Sequence, residues 1–154
     1  MKTLDASKSD LTFPIALVVS RFNVEITSRL LDGAVRRLRE RGFAEEQITV
    51  VHVPGAVEIP IVTQRLCQTK QFACVVALGA VIRGETTHYD YVCEQVSQGC
   101  QQLALENSTP VIFGVLTTEN EAQAFDRVGG QHGHKGQDAV DAAVETVAVL
   151  RQIS

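Results

Sequence analysis

The sequence lacks several features that mark common classes of protein. None of its apolar runs approaches the roughly 20 residues of a membrane-spanning helix. It has no excess of basic residues, since the formal net charge is −4 and the isoelectric point is about 5.5. We therefore expect neither nucleic acid nor an anionic membrane surface as a partner.

The patterns of a signal peptide, of CxxC pairs and of internal repeats are also not seen in the sequence. The start of the chain, from Met1 to Asp5, lacks the apolar core of a signal peptide. Four cysteines form no CxxC pair, so we expect buried thiols in a reducing cytoplasm rather than disulfides. With no repeat, linker or low-complexity segment, the chain predicts a polar arm over 1–12 and a single domain over 13–154.

Two phosphate-binding motifs are absent as well. Gly79 and Gly84 form a GxxxxG, but the Lys and Ser/Thr of a P-loop do not follow. No GxGxxG follows the first apolar run. Nucleoside triphosphates and dinucleotides are therefore disfavoured as ligands.

The sequence does contain four largely apolar runs, which predict buried strands. The strands are expected at 15–19, 48–53, 73–78 and 111–116. Helical periodicity predicts helices at 25–41, 57–69, 86–106, 117–128 and 137–150. Strands that alternate with helices predict an α/β fold: a three-layer α/β/α sandwich with a doubly wound, four-stranded parallel sheet of the flavodoxin-like kind.

Capping residues mark the expected ends of several helices. Asn23 is predicted to cap the first helix, and Gly42 to follow its end. Segment 129–136, which is rich in glycine, predicts a flexible basic loop. Threonines are predicted to cap two later helices, Thr86 or Thr87 and Thr117 or Thr118.

The carboxyl ends of parallel strands share one edge of a sheet, where open α/β folds bind ligands. There Phe22 could stack on a planar heterocycle or pack in the core. Glu58 could accept hydrogen bonds from a ligand or remain a solvated carboxylate in the first turn of a helix. His88 is the best acid–base candidate, with a capping or surface histidine as the alternative. The other histidines form no metal-ligand spacing with His88.

A possible phosphate site lies further along the chain, at Arg127 and Lys135. The alternative is a solvated loop with cations at a helix end. Arg127 is predicted to end a helix of ten residues, roughly 15 Å long, that runs back from the carboxyl edge. We therefore expect Arg127 to lie far from its own cleft and to serve a neighbouring subunit.

At these residues the chain resembles the lumazine synthase family, and the match covers nearly the whole chain. Each segment is weak alone, but together they fall in the order and spacing of the family. The segments are Arg21-Phe22-Asn23, Pro54-Gly55-Ala56-Val57-Glu58-Ile59-Pro60, Gly79-Ala80-Val81-Ile82-Arg83-Gly84, Thr86-Thr87-His88, Phe113-Gly114-Val115-Leu116-Thr117-Thr118-Glu119 and Lys135-Gly136.

The resemblance implies condensation of 5-amino-6-ribitylaminouracil with 3,4-dihydroxy-2-butanone 4-phosphate to 6,7-dimethyl-8-ribityllumazine, without metal or cofactor. By matching position, His88 would move protons. The pyrimidine and its ribityl chain would be held by Phe22, Ala56, Val57, Glu58, Ala80, Val81, Ile82 and the adjacent subunit's Phe113. The phosphate would meet Glu85, Thr86, Lys135 and the adjacent subunit's Arg127.

The same resemblance implies a homo-oligomer, a pentamer that in some members builds an icosahedral shell, with riboflavin synthase as a candidate partner. The chain departs from the family at Val57, often aromatic, at Ala80, usually Thr, and at Glu85, usually small. A carboxylate at 85 would weaken phosphate binding unless it points away.

Two other functions compete with this one. A flavin- or lumazine-binding protein could store its ligand on the same scaffold without turnover. A phosphosugar enzyme could instead form a Schiff base through Lys135. His88 and Arg127 favour the first function over storage, because a storage protein needs neither proton transfer nor a grip on a leaving phosphate.

Overall fold

The computed structural model describes residues 1–153. Its main sheet has four parallel strands in the order β2-β1-β3-β4. The strands are β1 (Ile15–Ser20), β2 (Ile48–Val53), β3 (Cys74–Ile82) and β4 (Val111–Thr118). Because β1 lies between β2 and β3, the chain winds outward in both directions from the centre. This is the doubly wound topology that the sequence predicts.

Helices cover both faces of this sheet. On one face lie α1 (Val24–Glu40) and α5 (Lys135–Ile153), and on the other lie α2 (Ile59–Gln68) and α3 (His88–Asn107). The two sets of buried side chains differ, since alternate residues of each strand point to opposite faces. Three layers with two apolar cores confirm the predicted α/β/α sandwich.

The third strand is longer than its apolar run. Pairing between β3 and β4 continues through Val81↔Thr117 and Ile82↔Thr118. Gly79 therefore lies inside a strand, where a Cβ would come 2.9 Å from the Ser20 Oγ. The connection expected between the strand at 73–78 and the helix at 86–106 is instead a loop of residues 83–87 between β3 and α3.

Capping follows the prediction only in part. Gly42 has φ +90° just after α1, as expected. Asn23 is left-handed (φ 63°) and does not cap, because its side-chain amide donates to the Ala80 carbonyl at 2.9 Å. The short helix is capped by Asn120, whose side chain accepts from the Gln123 N–H at 2.9 Å, and not by a threonine.

The segment predicted as a flexible loop is a small hairpin. β5 (Val128–Gly130) pairs antiparallel with β6 (Gly133–His134), and α5 begins immediately afterwards. α4 spans only Glu121–Phe125, so the expectation of a ten-residue helix that carries Arg127 away from the sheet edge is wrong. Asp126 closes the hairpin, because its side chain accepts from the Gln131 N–H at 2.8 Å and pairs with the His132 ring.

The four cysteines are free thiols. Cys67, Cys74 and Cys100 are buried, whereas Cys93 is half-buried. Burial raises the pKa of Cys100 to about 11, so this thiol stays protonated. Within residues 1–153, no helix is long and apolar enough to cross a membrane.

Candidate active site

A cleft of about 260 Å³ opens at the carboxyl ends of β1, β2 and β3. It lies where the winding of the sheet reverses, the position at which open α/β sheets bind ligands. Eight of the predicted site residues meet in its wall although they come from three separate parts of the chain. They are Phe22, Ala56, Val57, Ala80, Val81, Ile82, Thr86 and His88.

Phe22 stands at the mouth of the cleft because the chain continues β-like pairing past β1. The N–H groups of Arg21 and Phe22 donate to the carbonyls of Val53 and Pro54 at 2.8 and 2.9 Å. The Phe22 side chain is 72% exposed, so it is not a core residue of the protomer. A rigid backbone thus presents an open aromatic face to any planar ligand in the cleft.

Glu58 is held beside the cleft without lining it. Its Oε1 accepts from the Gly55 N–H at 3.0 Å, which fixes the tight turn between β2 and α2. The other oxygen, Oε2, is the one that could meet a ligand hydroxyl. The turn also places Ala56 and Val57 in the cleft wall.

His88 is the first residue of α3 and is exposed. Its N–H donates to the Thr86 Oγ1 at 3.3 Å, so the loop and the helix start are joined locally. Backbone N–H groups in the first turn of a helix favour an anion. An imidazole beside that turn can therefore exchange protons with a ligand whose anionic group sits at the helix start.

Arg83 fixes the loop in front of His88, a role that the sequence did not reveal. Its Nε donates to Glu119 at 2.7 Å, its Nη2 pairs with Asp90 at 3.3 Å, and its N–H donates to the Thr118 carbonyl at 2.9 Å. The guanidinium also lies 4.3 Å from the centre of the Tyr89 ring. The hydrogen bond to Glu119 is the main cause that raises the pKa of Arg83.

Tyr89 lines the cleft, although no pattern in the sequence singles it out. Burial is the main cause that raises the pKa of Tyr89, so the ring keeps a neutral hydroxyl that can donate or accept a hydrogen bond. In the sequence, only its position directly after His88 indicated that Tyr89 lies near the site. Its contact with Arg83 is seen only in the structure.

A separate concavity of about 380 Å³ contains the two predicted phosphate residues. Arg127 and Lys135 line it together with Thr117, Thr118 and His132. The Lys135 N–H donates to the Arg127 carbonyl at 2.8 Å, which brings two cations side by side. Arg127 also donates from Nη1 to the Gln123 carbonyl at 2.8 Å.

Besides Glu58, two other predicted residues line neither concavity. Phe113 pairs with Ala77 in the sheet and is packed against the core on the α2/α3 face. Glu85 is exposed at the tip of the loop before α3. Its backbone lies next to the cleft while its carboxylate is free to point into solvent.

The two histidines of the hairpin have different partners. His132 pairs through Nδ1 with Asp126 at 2.5 Å, and this pair contributes to the lowered pKa of Asp126, after the Gln131 N–H. His134 turns towards α1 and α5. The described part of the chain contains no group of three His, Cys, Asp or Glu side chains placed to hold a metal ion.

The chain matches a family model described as 6,7-dimethyl-8-ribityllumazine synthase over residues 12–151. It is 55% identical over 142 residues to the 6,7-dimethyl-8-ribityllumazine synthases of Coxiella burnetii strains CbuG_Q212 and RSA 493 / Nine Mile phase I. The protein of the same name from strain Dugway 5J108-111 is 54% identical. Each alignment covers 92% of this chain and 94% of the relative.

Proposed function

The chain belongs to the 6,7-dimethyl-8-ribityllumazine synthase family, and on that premise we propose that it condenses 5-amino-6-ribitylaminouracil with 3,4-dihydroxy-2-butanone 4-phosphate. The enzyme is a transferase of riboflavin biosynthesis. The observation that carries this proposal is the convergence of Phe22, the Ala80–Ile82 backbone and His88 in one cleft at the sheet edge.

The cleft suits the pyrimidine substrate. Phe22 stacks on the uracil ring, because the aromatic face is open and its backbone is fixed. Backbone groups of residues 56–57 and 80–82 meet the ring and the ribityl hydroxyls, and Glu58 adds one carboxylate oxygen. These contacts leave the 5-amino group of the substrate near the start of α3.

The phosphate of the second substrate meets the loop before α3. The N–H groups of Glu85 and Thr86 point to the anion, and Arg127 and Lys135 supply the positive charge. Since the latter two line a separate concavity in the protomer, we propose that a neighbouring protomer brings its own Arg127, Lys135 and Phe113 to the cleft.

The chemistry then needs orientation and proton transfer. The amine adds to the ketone and water leaves as the imine forms. A proton is then lost from carbon 3 of the former ketone as the bond from carbon 4 to the phosphate oxygen breaks, and the resulting enol tautomerises to a second ketone. The ribitylamino nitrogen adds to this ketone and closes the ring with loss of a second water. His88 takes a proton from the attacking amine and returns protons to the departing groups.

The family supports a homo-oligomer that acts on small molecules. In the proposed site, residues of two protomers act on one substrate pair, so catalysis requires the oligomer. A pentamer, its closure into an icosahedral shell, a cytoplasmic location and association with riboflavin synthase are the finer proposals, and they rest on the resemblance to the family.

Two alternatives predict different behaviour. A storage protein requires only the cleft that contains Phe22 and His88, so this alternative assigns no function to Arg127 and Lys135. A Schiff-base enzyme requires a dry lysine, but Lys135 begins α5 in an open concavity and is half-exposed. Borohydride trapping of a covalent adduct on Lys135 would support the Schiff-base enzyme.

The test is incubation of the purified protein with both substrates while absorbance of the lumazine is followed. The proposal expects product formation well above the uncatalysed reaction, with one phosphate released per lumazine. Omission of either substrate is the control. A protein that binds the product but does not accelerate its formation would be the storage protein instead.

A further inference from the structure

The ring of His134 joins the start of α5 to the hairpin before it. Its Nδ1 accepts hydrogen bonds from the N–H groups of Gly136 at 3.1 Å and Gln137 at 3.3 Å. Both donors lie in the first turn of α5, whose N–H groups have no partner inside the helix. A ring nitrogen that accepts must carry a lone pair, so His134 is neutral with its proton on Nε2.

The opposite side of the ring lies against α1. A Cβ on Gly33 would come 2.0 Å from the His134 Cε1 and 2.3 Å from its Nε2, so only glycine leaves room for the ring. A hydrogen bond also joins the ring to the backbone of Arg29 in α1. Gly136 lies equally close to α1, since its Cβ would come 2.3 Å from the Leu30 carbonyl oxygen.

This bridge determines where two phosphate residues lie. His134 pairs with Val128 in the hairpin, and the following Lys135 N–H donates to the Arg127 carbonyl at 2.8 Å. We propose that His134 is a positioning residue, which holds Lys135 and Arg127 at the phosphate end of the site only while its ring is neutral. The proposal rests on the proposed function, because it assigns phosphate binding to these two side chains.

Protonation would replace an acceptor by a donor. The imidazolium Nδ1–H would face two N–H groups at the positive end of a helix dipole. Arg29 and Arg36 of α1 are further cations near the ring, opposed by Asp32 of α1 and Asp138 of α5, with Lys135 next in sequence. Burial is the main cause that lowers the pKa of His134, and the Arg29 hydrogen bond opposes it.

The experiment compares wild type with His134→Asn and His134→Ala. Asparagine is a favoured N-cap that accepts hydrogen bonds but does not titrate. The KM for the butanone phosphate is measured at about pH 7.5 and about pH 5.5. His52→Gln is the matched control, because His52 is an exposed histidine on the edge strand β2 and lines neither concavity.

On acidification, we expect the KM for the butanone phosphate to rise about threefold more in wild type and in His52→Gln than in His134→Asn. The KM for the pyrimidine should change equally in all three proteins. Any pH effect on the substrate or on groups that all three proteins share cancels in this comparison. His134→Ala should show the raised KM at both pH values. Equal pH dependence in wild type and His134→Asn would overturn the proposal.

A second measurement uses only the wild-type protein. Nitrogen-15 spectra of histidine-labelled wild-type protein at about pH 7.5 should show one ring with its proton on Nε2 and a strongly hydrogen-bonded Nδ1. A His134 ring protonated on Nδ1 would overturn the proposal. Lumazine formation by wild type at neutral pH tests the proposed function alone, so the two failures are distinguishable.

Discussion

Arg127→Ala is the substitution that separates the two halves of the proposed site most cleanly. Arg127 lines the concavity with Lys135, whereas Phe22 and His88 line the other cleft. The substitution should therefore weaken binding of the phosphorylated substrate and leave pyrimidine binding intact. Loss of one bidentate, charge-assisted contact costs about 1.5–3 kcal/mol.

That cost predicts a KM for the butanone phosphate raised by about ten- to hundredfold, since each 1.36 kcal/mol is about tenfold. Within the protomer the substitution removes the hydrogen bond from Nη1 to the Gln123 carbonyl, so the free energy of unfolding should fall by only about 1 kcal/mol. The loss of affinity should thus not reflect loss of folded protein.

The assay is steady-state kinetics with each substrate varied in turn, alongside urea unfolding. Arg39→Ala is the matched control, because Arg39 is an exposed arginine that pairs with Glu45 and lines neither of the two concavities. An equal rise in both KM values, or no rise in either, would refute the role given to Arg127.

Three further predictions follow from the same geometry. Phe22→Ala should raise KM for the pyrimidine about five- to thirtyfold through lost stacking of about 1–2 kcal/mol, whereas Tyr91→Ala, which removes an aromatic ring of similar exposure (69%) outside the cleft, should not. His88→Ala should lower kcat by up to about a hundredfold without abolishing turnover, because the condensation also proceeds uncatalysed; a variant at full rate would remove His88 from the mechanism. The lowered pKa of His134 means that the unfolded chain takes up this proton at higher pH than the folded one. Urea unfolding should therefore show that the difference in free energy of unfolding between wild type and His134→Asn is constant above the ordinary pKa of 6.5. The free energy of unfolding of wild type should decrease relative to that of His134→Asn as the pH falls from there through the folded pKa.

The fold follows from local patterns in the sequence. Four apolar runs separated by helical periods leave only a parallel sheet covered on both faces, and the structure has that sheet. The predictions of strand ends and helix caps are wrong where contacts with residues distant in the sequence determine the local structure. β3 continues to Ile82 because β4 pairs with it, and Asn23 bonds to Ala80 across the sheet instead of capping its own helix.

The parts of the candidate site that depend on the topology of the sheet could be predicted from the sequence. The parts that depend on contacts between side chains distant in the sequence could not. Phe22, Ala80 and His88 meet because parallel strands end at the same edge. The role of Arg83 depends on Glu119, 36 residues later, and that of His134 on Gly33, about 100 residues earlier. Side chains bound through such long-range contacts carry no periodic or local signal.

The central claim is that one protomer completes the cleft of the next, and mixed oligomers test it directly. Protomers with Phe22→Ala and His88→Ala are assembled with protomers that carry Arg127→Ala, and lumazine formation is measured. Random assembly predicts wild-type properties in about one quarter of the sites, because one interface in four pairs an intact cleft with an intact Arg127. Activity no higher than the average of the two separate variants would contradict the claim.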